Sequence, residues 1–314
     1  MRLRLTAVRH EADQIVSLEF ADPRGAPLPP WAPGAHLEIR LPSGLIRHYS
    51  LCGDPARAES YRVAVLRVGA GRGGSREIHD TLRVGTTLEV SEPRNTFPLA
   101  DASHCLLIAG GIGITPILTM AEHLAARGHT AWRLLYGGRS RDAMAFRDRV
   151  ARLPPGRAEQ VFQDENGLPD LEGALAELPD GAHVYCCGPA PMIEKTTGLC
   201  ARRPGLVLHV ERFTATPARP AATTNDAFEV ELAETGRVLK VPADRSILDV
   251  VREVLPDVAY SCESGFCGTC ETGILSGTAV HRDELLTEEE RDAQRSMMIC
   301  VSRARSGERL VLRL

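Results

Sequence analysis

Residues 261–273 read Ser-Cys-Glu-Ser-Gly-Phe-Cys-Gly-Thr-Cys-Glu-Thr-Gly, and a further cysteine, Cys300, follows in Met297-Met298-Ile299-Cys300-Val301. Cys262, Cys267 and Cys270 are therefore spaced C-x4-C-x2-C, with Cys300 standing apart. That is the ligand spacing of a two-iron, two-sulfur (2Fe–2S) centre. Its irons need four thiolates, and its sulfides need backbone N–H groups turned toward them. A loop that wraps so closely requires small residues, here Ser264, Gly265 and Gly268, and glycine can take the positive φ values that aim amides inward. A four-cysteine zinc site is the alternative. Such sites more often use two C-x2-C pairs, which this sequence lacks.

Working outward, the loop sits in a compact C-terminal segment, 227–314, of strands (FEVELA, RVLKV), a helix (SILDVVREVL) and closing strands. This segment holds 16 Asp and Glu against 11 Lys and Arg, within a chain of net charge −4. An acidic end argues against nucleic acid as a partner and suits steering of a basic protein; a merely solvated surface would have the same composition. Before it lies Thr214–Asp226, rich in Pro, Ala and Thr without an apolar period, which reads as a linker.

Residues 1–101 read as short strands (VSLEF, HLEIRL, RHYSL, YRVAVLRV, TLEV) broken by Pro/Gly-rich pieces, the pattern of an antiparallel β-barrel, with one helix starting near Ser75. From Ala102 to Phe213 strands and helices alternate: HCLLIAG, TPILTMAEHLAARG, AWRLLYGG, DAMAFRDRVARL, EQVFQ, LEGALAEL, HVYCCGP, APMIEKTTGLCARR and VLHVERF. Alternation at this spacing predicts βαβ units and a parallel sheet covered on both faces. A length of 314 residues suits several such domains. No apolar run is long enough to span a membrane, and the first residues carry no secretory signal, so a cytoplasmic protein is expected. Nine cysteines, an odd count, do not form a disulfide framework there.

Three further stretches carry chemistry. Arg47, Tyr49 and Ser50 form R-x-Y-S: a forked guanidinium for a phosphate, a flat aromatic face and a hydroxyl. Gly71-Arg72-Gly73-Gly74-Ser75 opens the helix of the first domain, where free N–H groups and a Ser75 cap would make an anion site; a plain glycine turn would read the same. Gly110-Gly111-Ile112-Gly113-Ile114-Thr115-Pro116 follows a buried strand. Thr115 fits a helix cap, Pro116 the first helical position, and Gly111 and Gly113 a close backbone approach to a pyrophosphate. Proline at the third glycine position excludes the dehydrogenase G-x-G-x-x-G fingerprint. Cys187 ends the strand HVYCCGP, on the ligand side of such sheets, while Cys186 points the opposite way.

On these motifs the chain resembles the phthalate dioxygenase reductase family, which includes vanillate demethylase reductases, across nearly its whole length. The resemblance implies a flavin barrel of the ferredoxin–NADP reductase superfamily, a nicotinamide domain and a C-terminal plant-type ferredoxin of the α+β, β-grasp kind. It implies FMN held by Arg47, Tyr49, Ser50, Gly74 and Ser75, with the phosphate at the glycine loop. Cys187 would lie beside the reacting nicotinamide with Thr115 near it, Phe213 of Glu211-Arg212-Phe213 would cover the flavin, and Cys262, Cys267, Cys270 and Cys300 would bind the 2Fe–2S cluster. Electrons would run from NADH through FMN and the cluster to an oxygenase component, from a monomer touching neither nucleic acid nor membrane. Arg139 follows the second strand of the nicotinamide domain, where arginine accommodates a 2′-phosphate, so NADPH stays open beside NADH. Phe266 is the candidate partner contact. A haem monooxygenase as acceptor, or a non-enzymatic flavin and zinc protein, are the competing readings.

Overall fold

The computed structural model describes residues 1–69, 73–213, 225–265, 267–283, 285–305 and 307–314. Gly71, Arg72, Phe266 and most of the expected linker therefore lie outside the described residues. The chain forms two compact units, Met1–Phe213 and Thr214–Leu314.

The first unit opens with seven strands: β1 (Arg2–Ala12), β2 (Ile15–Ala21), β3 (Ala35–Arg40), β4 (Ile46–Ser50), β5 (Tyr61–Leu66), β6 (Thr87–Val90) and β7 (Arg94–Asn95). They pair antiparallel in the order β4-β3-β6-β1-β2-β5, with β7 on β3. The two ends of that path meet through a Leu51–Val63 bridge and the Cys52 N–H bond to the Arg62 carbonyl, 2.8 Å, which closes the barrel. Leu3, Leu5, Leu18, Phe20, Leu37 and Ile39 alternate into its interior, as the two-residue period of strands requires. The 11-residue β1 is the longest strand, yet sequence reading passes over it. Its outer positions are so polar (Arg2, Arg4, Arg9, His10) that only the alternation at Leu3 and Leu5 marks it.

The one helix among the described residues of this part, α1 (Gly74–Thr81), begins at left-handed Gly73 (φ 85°) without a side-chain cap. The Ser75 cap expected from sequence is not formed, because the Ser75 hydroxyl instead accepts the Val68 N–H at 3.0 Å.

The second sheet is parallel, in the order β10-β9-β8-β11-β12, from β8 (Cys105–Gly110), β9 (Trp132–Gly138), β10 (Ala158–Phe162), β11 (His183–Cys187) and β12 (Val207–Glu211). Its crossovers carry α2 (Ile114–Ala126), α3 (Arg147–Ala151), α4 (Gln163–Asn166), α5 (Leu171–Ala176) and α6 (Ala190–Ala201). Successive strand residues serve opposite cores: Leu107, Ala109 and Cys187 one face, Leu106, Ile108 and Cys186 the other. A helix expected over 142–153 is only α3, because Met144, Ala145 and Phe146 are drawn into the core before it and Phe146 takes φ 60°. Likewise Thr115 and Pro116 are the second and third residues of α2, not its cap and first position, since a 3-10 turn, Gly111–Gly113, feeds the helix directly.

Barrel and parallel sheet share one core: Ala12, Ile15, Cys52 and Ala64 pack with Ile117, Met120 and Ala121 of α2. Arg149 rivets the seam. Its guanidinium donates to Glu122 at 2.9 and 2.6 Å and to the Cys52 carbonyl at 2.6 Å.

The second unit is a mixed sheet, β14-β13-β19-β15-β17, of β13 (Phe228–Leu232), β14 (Arg237–Val241), β15 (Glu271–Ser276), β17 (Ser296–Met298) and β19 (Arg309–Leu312), with β16 (Ala279–Val280) paired to β18 (Arg303–Ala304). Among these pairings only β13 and β19 run parallel. Helix α7 (Ile247–Val251) covers the sheet, started by a capping box in which Ser246 and Asp249 satisfy each other's amides; α8 (Glu288–Asp292) begins the same way at Thr287 and Glu290. This is the expected α+β ferredoxin arrangement.

Replacing Arg149 by Ala strands the Glu122 carboxylate and the Cys52 carbonyl at the seam. Loss of these charge-assisted bonds lowers unfolding free energy by about 2 kcal/mol, read as an earlier urea midpoint of the first unit; an unchanged midpoint would show the rivet to be idle.

Candidate functional site

The start of α1 and strand β4 build one cradle. A Cβ on Gly74 would lie 2.4 Å from Nε and 2.9 Å from Cγ of Arg47. Glycine is therefore what lets the guanidinium stem lie across the helix start. With no side-chain cap at Gly73, the first amides of α1 and a forked cation face the same space, a donor set that fits a phosphate group. Tyr49 stands half-buried two residues along β4, and burial raises its phenol, so the ring presents a neutral face.

At the other end of β4 the barrel meets the parallel sheet chemically. The Ser50 hydroxyl donates to Glu211 Oε2 at 3.1 Å, and the Cys187 thiol reaches the same oxygen at 3.9 Å. Burial pushes the Glu211 carboxyl up to about 8, against the bonds from Ser50 and Cys187 that favour its anion. The Cys187 thiol is also raised, by burial and then by Glu211. At neutral pH this junction is thus a neutral acid, a neutral thiol and a hydroxyl. Sequence reading places Ser50 and Cys187 in the site but gives Glu211 no role; only a register that sets Glu211 beside Cys187 across β11 and β12 reveals it.

The glycine turn after β8 backs onto this junction. A Cβ on Gly113 would come 2.2 Å from the Cys187 carbonyl oxygen, and one on Gly110 2.5 Å from Pro189 Cδ. Those two glycines serve packing, whereas Gly111 (φ 54°) faces open space. Thr115 is buried, its hydroxyl donating to the Ile112 carbonyl at 3.1 Å. Phe213, just beyond β12, is 38% exposed, as a ring free to cover a ligand must be. Arg139 follows β9, exposed, with no side-chain partner among the described residues, while Arg141 pairs with Glu165 (2.6 and 2.8 Å) above the Phe162 ring.

In the second unit the four cysteines act on one another electrostatically: Cys262 raises the Cys267 thiol, Cys262 and then Cys270 raise the Cys300 thiol, and Cys300 holds Cys270 down. The Cys262 N–H donates to Cys267 Sγ and the Ser264 N–H to Cys262 Sγ, both at 3.4 Å. Gly265 and Gly268 sit at φ 78° and 79°, and a Cβ on Gly265 would lie 2.7 Å from Val301 Cγ2. Amide-solvated sulfurs on a loop with no room for side chains fit a 2Fe–2S cluster.

A barrel with a phosphate cradle, a parallel sheet meeting it at a neutral acid–thiol junction, and a four-thiol ferredoxin module define an electron-transfer oxidoreductase. Residues 107–197 match the oxidoreductase NAD-binding domain family and 230–305 the 2Fe-2S iron-sulfur cluster binding domain family. The chain is 41% identical to the phthalate dioxygenase reductase of Burkholderia cepacia, over 100% of this chain and 97% of that protein. A solved phthalate dioxygenase reductase, described as a modular structure for electron transfer from pyridine nucleotides to [2Fe-2S], superposes with a TM-score of 0.74 at 39% identity, covering 100% and 98% of the two chains. An intact type IV self-sufficient cytochrome P450 monooxygenase matches with a TM-score of 0.87 at 39% identity; this chain spans 41% of its length. The chain belongs to the phthalate dioxygenase reductase family.

Glu211 keeps its proton in the folded protein to about pH 8, whereas in the unfolded chain it releases it near the ordinary carboxyl value, about 4.3. Between those limits the folded state binds the extra proton, so its stability contribution is full at low pH and lost as pH rises toward 8. Glu211→Gln should therefore flatten this part of the melting-temperature profile between about pH 5 and pH 8. A variant profile parallel to that of the parent chain would contradict the buried acid.

Proposed function

We propose that this chain is the reductase component of a Rieske-type oxygenase or demethylase system, passing electrons from NADH through FMN and its 2Fe–2S cluster to the oxygenase. The observation that carries the reading is the joining of Ser50, Glu211 and Cys187 at one point of a chain that also bears the three-cysteine loop and Cys300. The flavin, when bound, supplies the conversion of a two-electron hydride into single electrons. The residues supply position. Arg47 and the amides of Gly74 and Ser75 hold the FMN phosphate, Tyr49 and Phe213 offer aromatic faces to the ring, and Ser50 takes its edge. Open backbone at Gly111, packing at Gly113 and the buried Thr115 shape the turn that receives the dinucleotide, with Arg139 at the adenosine end. Cys187 presents an uncharged thiol to the nicotinamide, and Glu211, neutral at working pH, puts no negative charge beside an incoming hydride. Cys262, Cys267, Cys270 and Cys300 hold the cluster.

Domain limits of 1–101 for the flavin barrel, 102–213 for the nicotinamide domain, 214–226 for the linker and 227–314 for the ferredoxin follow from the same reading. So does action in the cytoplasm as a monomer; among the described residues large apolar side chains are exposed at scattered positions such as Val84, Leu168 and Val238, which supports the monomer, and gel filtration tests it. A haem monooxygenase is a second acceptor to consider, because the likeness to a self-sufficient cytochrome P450 runs over the whole chain.

Purified protein should show flavin and iron–sulfur absorbance that bleaches with NADH, and should reduce cytochrome c. Cys267→Ser should abolish cytochrome c reduction while NADH still bleaches the flavin; full activity in that variant would remove the cluster from the path. Arg47→Ala, which deletes a charge-assisted phosphate contact, should weaken FMN binding by roughly 10- to 100-fold, measured by flavin fluorescence; unaltered affinity would place the phosphate elsewhere. Presenting the reduced protein to an oxygenase and to a haem monooxygenase separates the two acceptors.

A further inference from the structure

Beneath the cysteine loop lies a buried acid that the electron path does not use. The Asp283 side chain is fully buried, and its Cα would lie 3.0 Å from a Cβ on Gly265, at the middle of the loop. Its Oδ2 accepts the amides of Leu285 (3.3 Å) and Leu286 (2.9 Å). Among the described residues its Oδ1 is served only at long range: Ser302 Oγ, two residues beyond Cys300, at 3.5 Å and His281 Nδ1 at 3.6 Å. Neither nitrogen of that His281 ring, itself 6% exposed, has a hydrogen-bond partner among the described residues. The compensating cation is Arg291 of α8, whose Nη2 lies 3.7 Å from Oδ2 and donates to the Asp283 carbonyl at 2.5 Å.

Capping two amides does not need a charge, since asparagine does it equally well. Burying a carboxylate with one half-exposed guanidinium for company costs desolvation that an amide would avoid. What the carboxylate adds is a negative charge in a poorly screened place, set directly under a loop that takes up an electron. In such surroundings one charge acts on another far more strongly than in water.

We infer that Asp283 is a positioning and tuning residue for the 2Fe–2S cluster, its charge, partly balanced by Arg291, holding the cluster's reduction potential down. Low potential keeps the electron transferable to the oxygenase rather than trapped in the ferredoxin module. The inference rests on the cluster assignment, and iron content tests that separately.

The experiment is an EPR-monitored redox titration of the full-length holoprotein beside an iron and sulfide assay. Asp283→Asn keeps the amide caps and removes the charge, so the electron should be held about tenfold more tightly, a rise of about 59 mV for a one-electron couple. Asp283→Glu should return the potential toward that of the parent. Arg291→Gln, at a side chain 35% exposed, uncovers the carboxylate and should shift the potential the opposite way. Full iron content with an unmoved potential in Asp283→Asn overturns the inference. If that variant fails to assemble its cluster, Arg291→Gln decides, and an unmoved or raised potential there overturns it equally. A parent protein lacking iron would instead strike at the cluster assignment itself.

Discussion

The three cysteines of one short loop, and Cys300 from a separate stretch of chain, repel one another as thiolates and crowd one another as thiols. Cys262 sits at the centre of this conflict, raising both Cys267 and Cys300, while Cys300 holds Cys270 down. Such an arrangement is stable only if cations share the charge or protons are retained. The second unit is built to keep the loop in place: Gly265 and Gly268 give it the turns, Val301 and Leu285 press against it, and Asp283 caps the strand of chain beneath it. The sheet below, closed by the parallel pairing of β13 and β19, provides the rigid floor that a preorganised ligand set requires.

The first unit resolves a different conflict. Where barrel and parallel sheet meet, polar groups are drawn out of water and must still find partners. Here the polar groups satisfy one another, with one carboxyl oxygen of Glu211 receiving both the Ser50 hydroxyl and the Cys187 thiol. Because burial keeps that carboxyl protonated to about pH 8, the junction is polar without being charged. The seam that fixes it is an apolar core bridged by the Arg149–Glu122 pair, so the two sheets share one core and the geometry of the junction follows from packing.

Much of this was legible in the residues. The C-x4-C-x2-C spacing with a distant fourth cysteine pointed to a 2Fe–2S cluster, because the cluster's need for four thiolates and inward-turned amides shapes the loop that holds it. Alternation of strands and helices over 102–213 dictated a parallel sheet, and Arg47 with the glycine-opened helix pointed to a phosphate. Local chemistry was less reliable at helix starts. Ser75 and Thr115 both looked like caps, yet Ser75 turned to Val68 and Thr115 entered α2 after a 3-10 turn. A short side chain has several amides within reach, and the tertiary path of the chain chooses among them.

By itself, the sequence determined the fold class, the flavin-barrel, nicotinamide and ferredoxin make-up of the chain and the kind of cluster its cysteine spacing implies, because periodicity, glycine and cysteine spacing are properties of the chain read locally. Tertiary structure alone decided that β1 is the longest barrel strand, that Met144–Phe146 leave the helix for the core, and that Glu211 meets Ser50 across 161 residues. It also decided that Asp283 lies under the loop that Gly265 shapes. Such relations rest on register and burial, which come into being only when distant segments pack together.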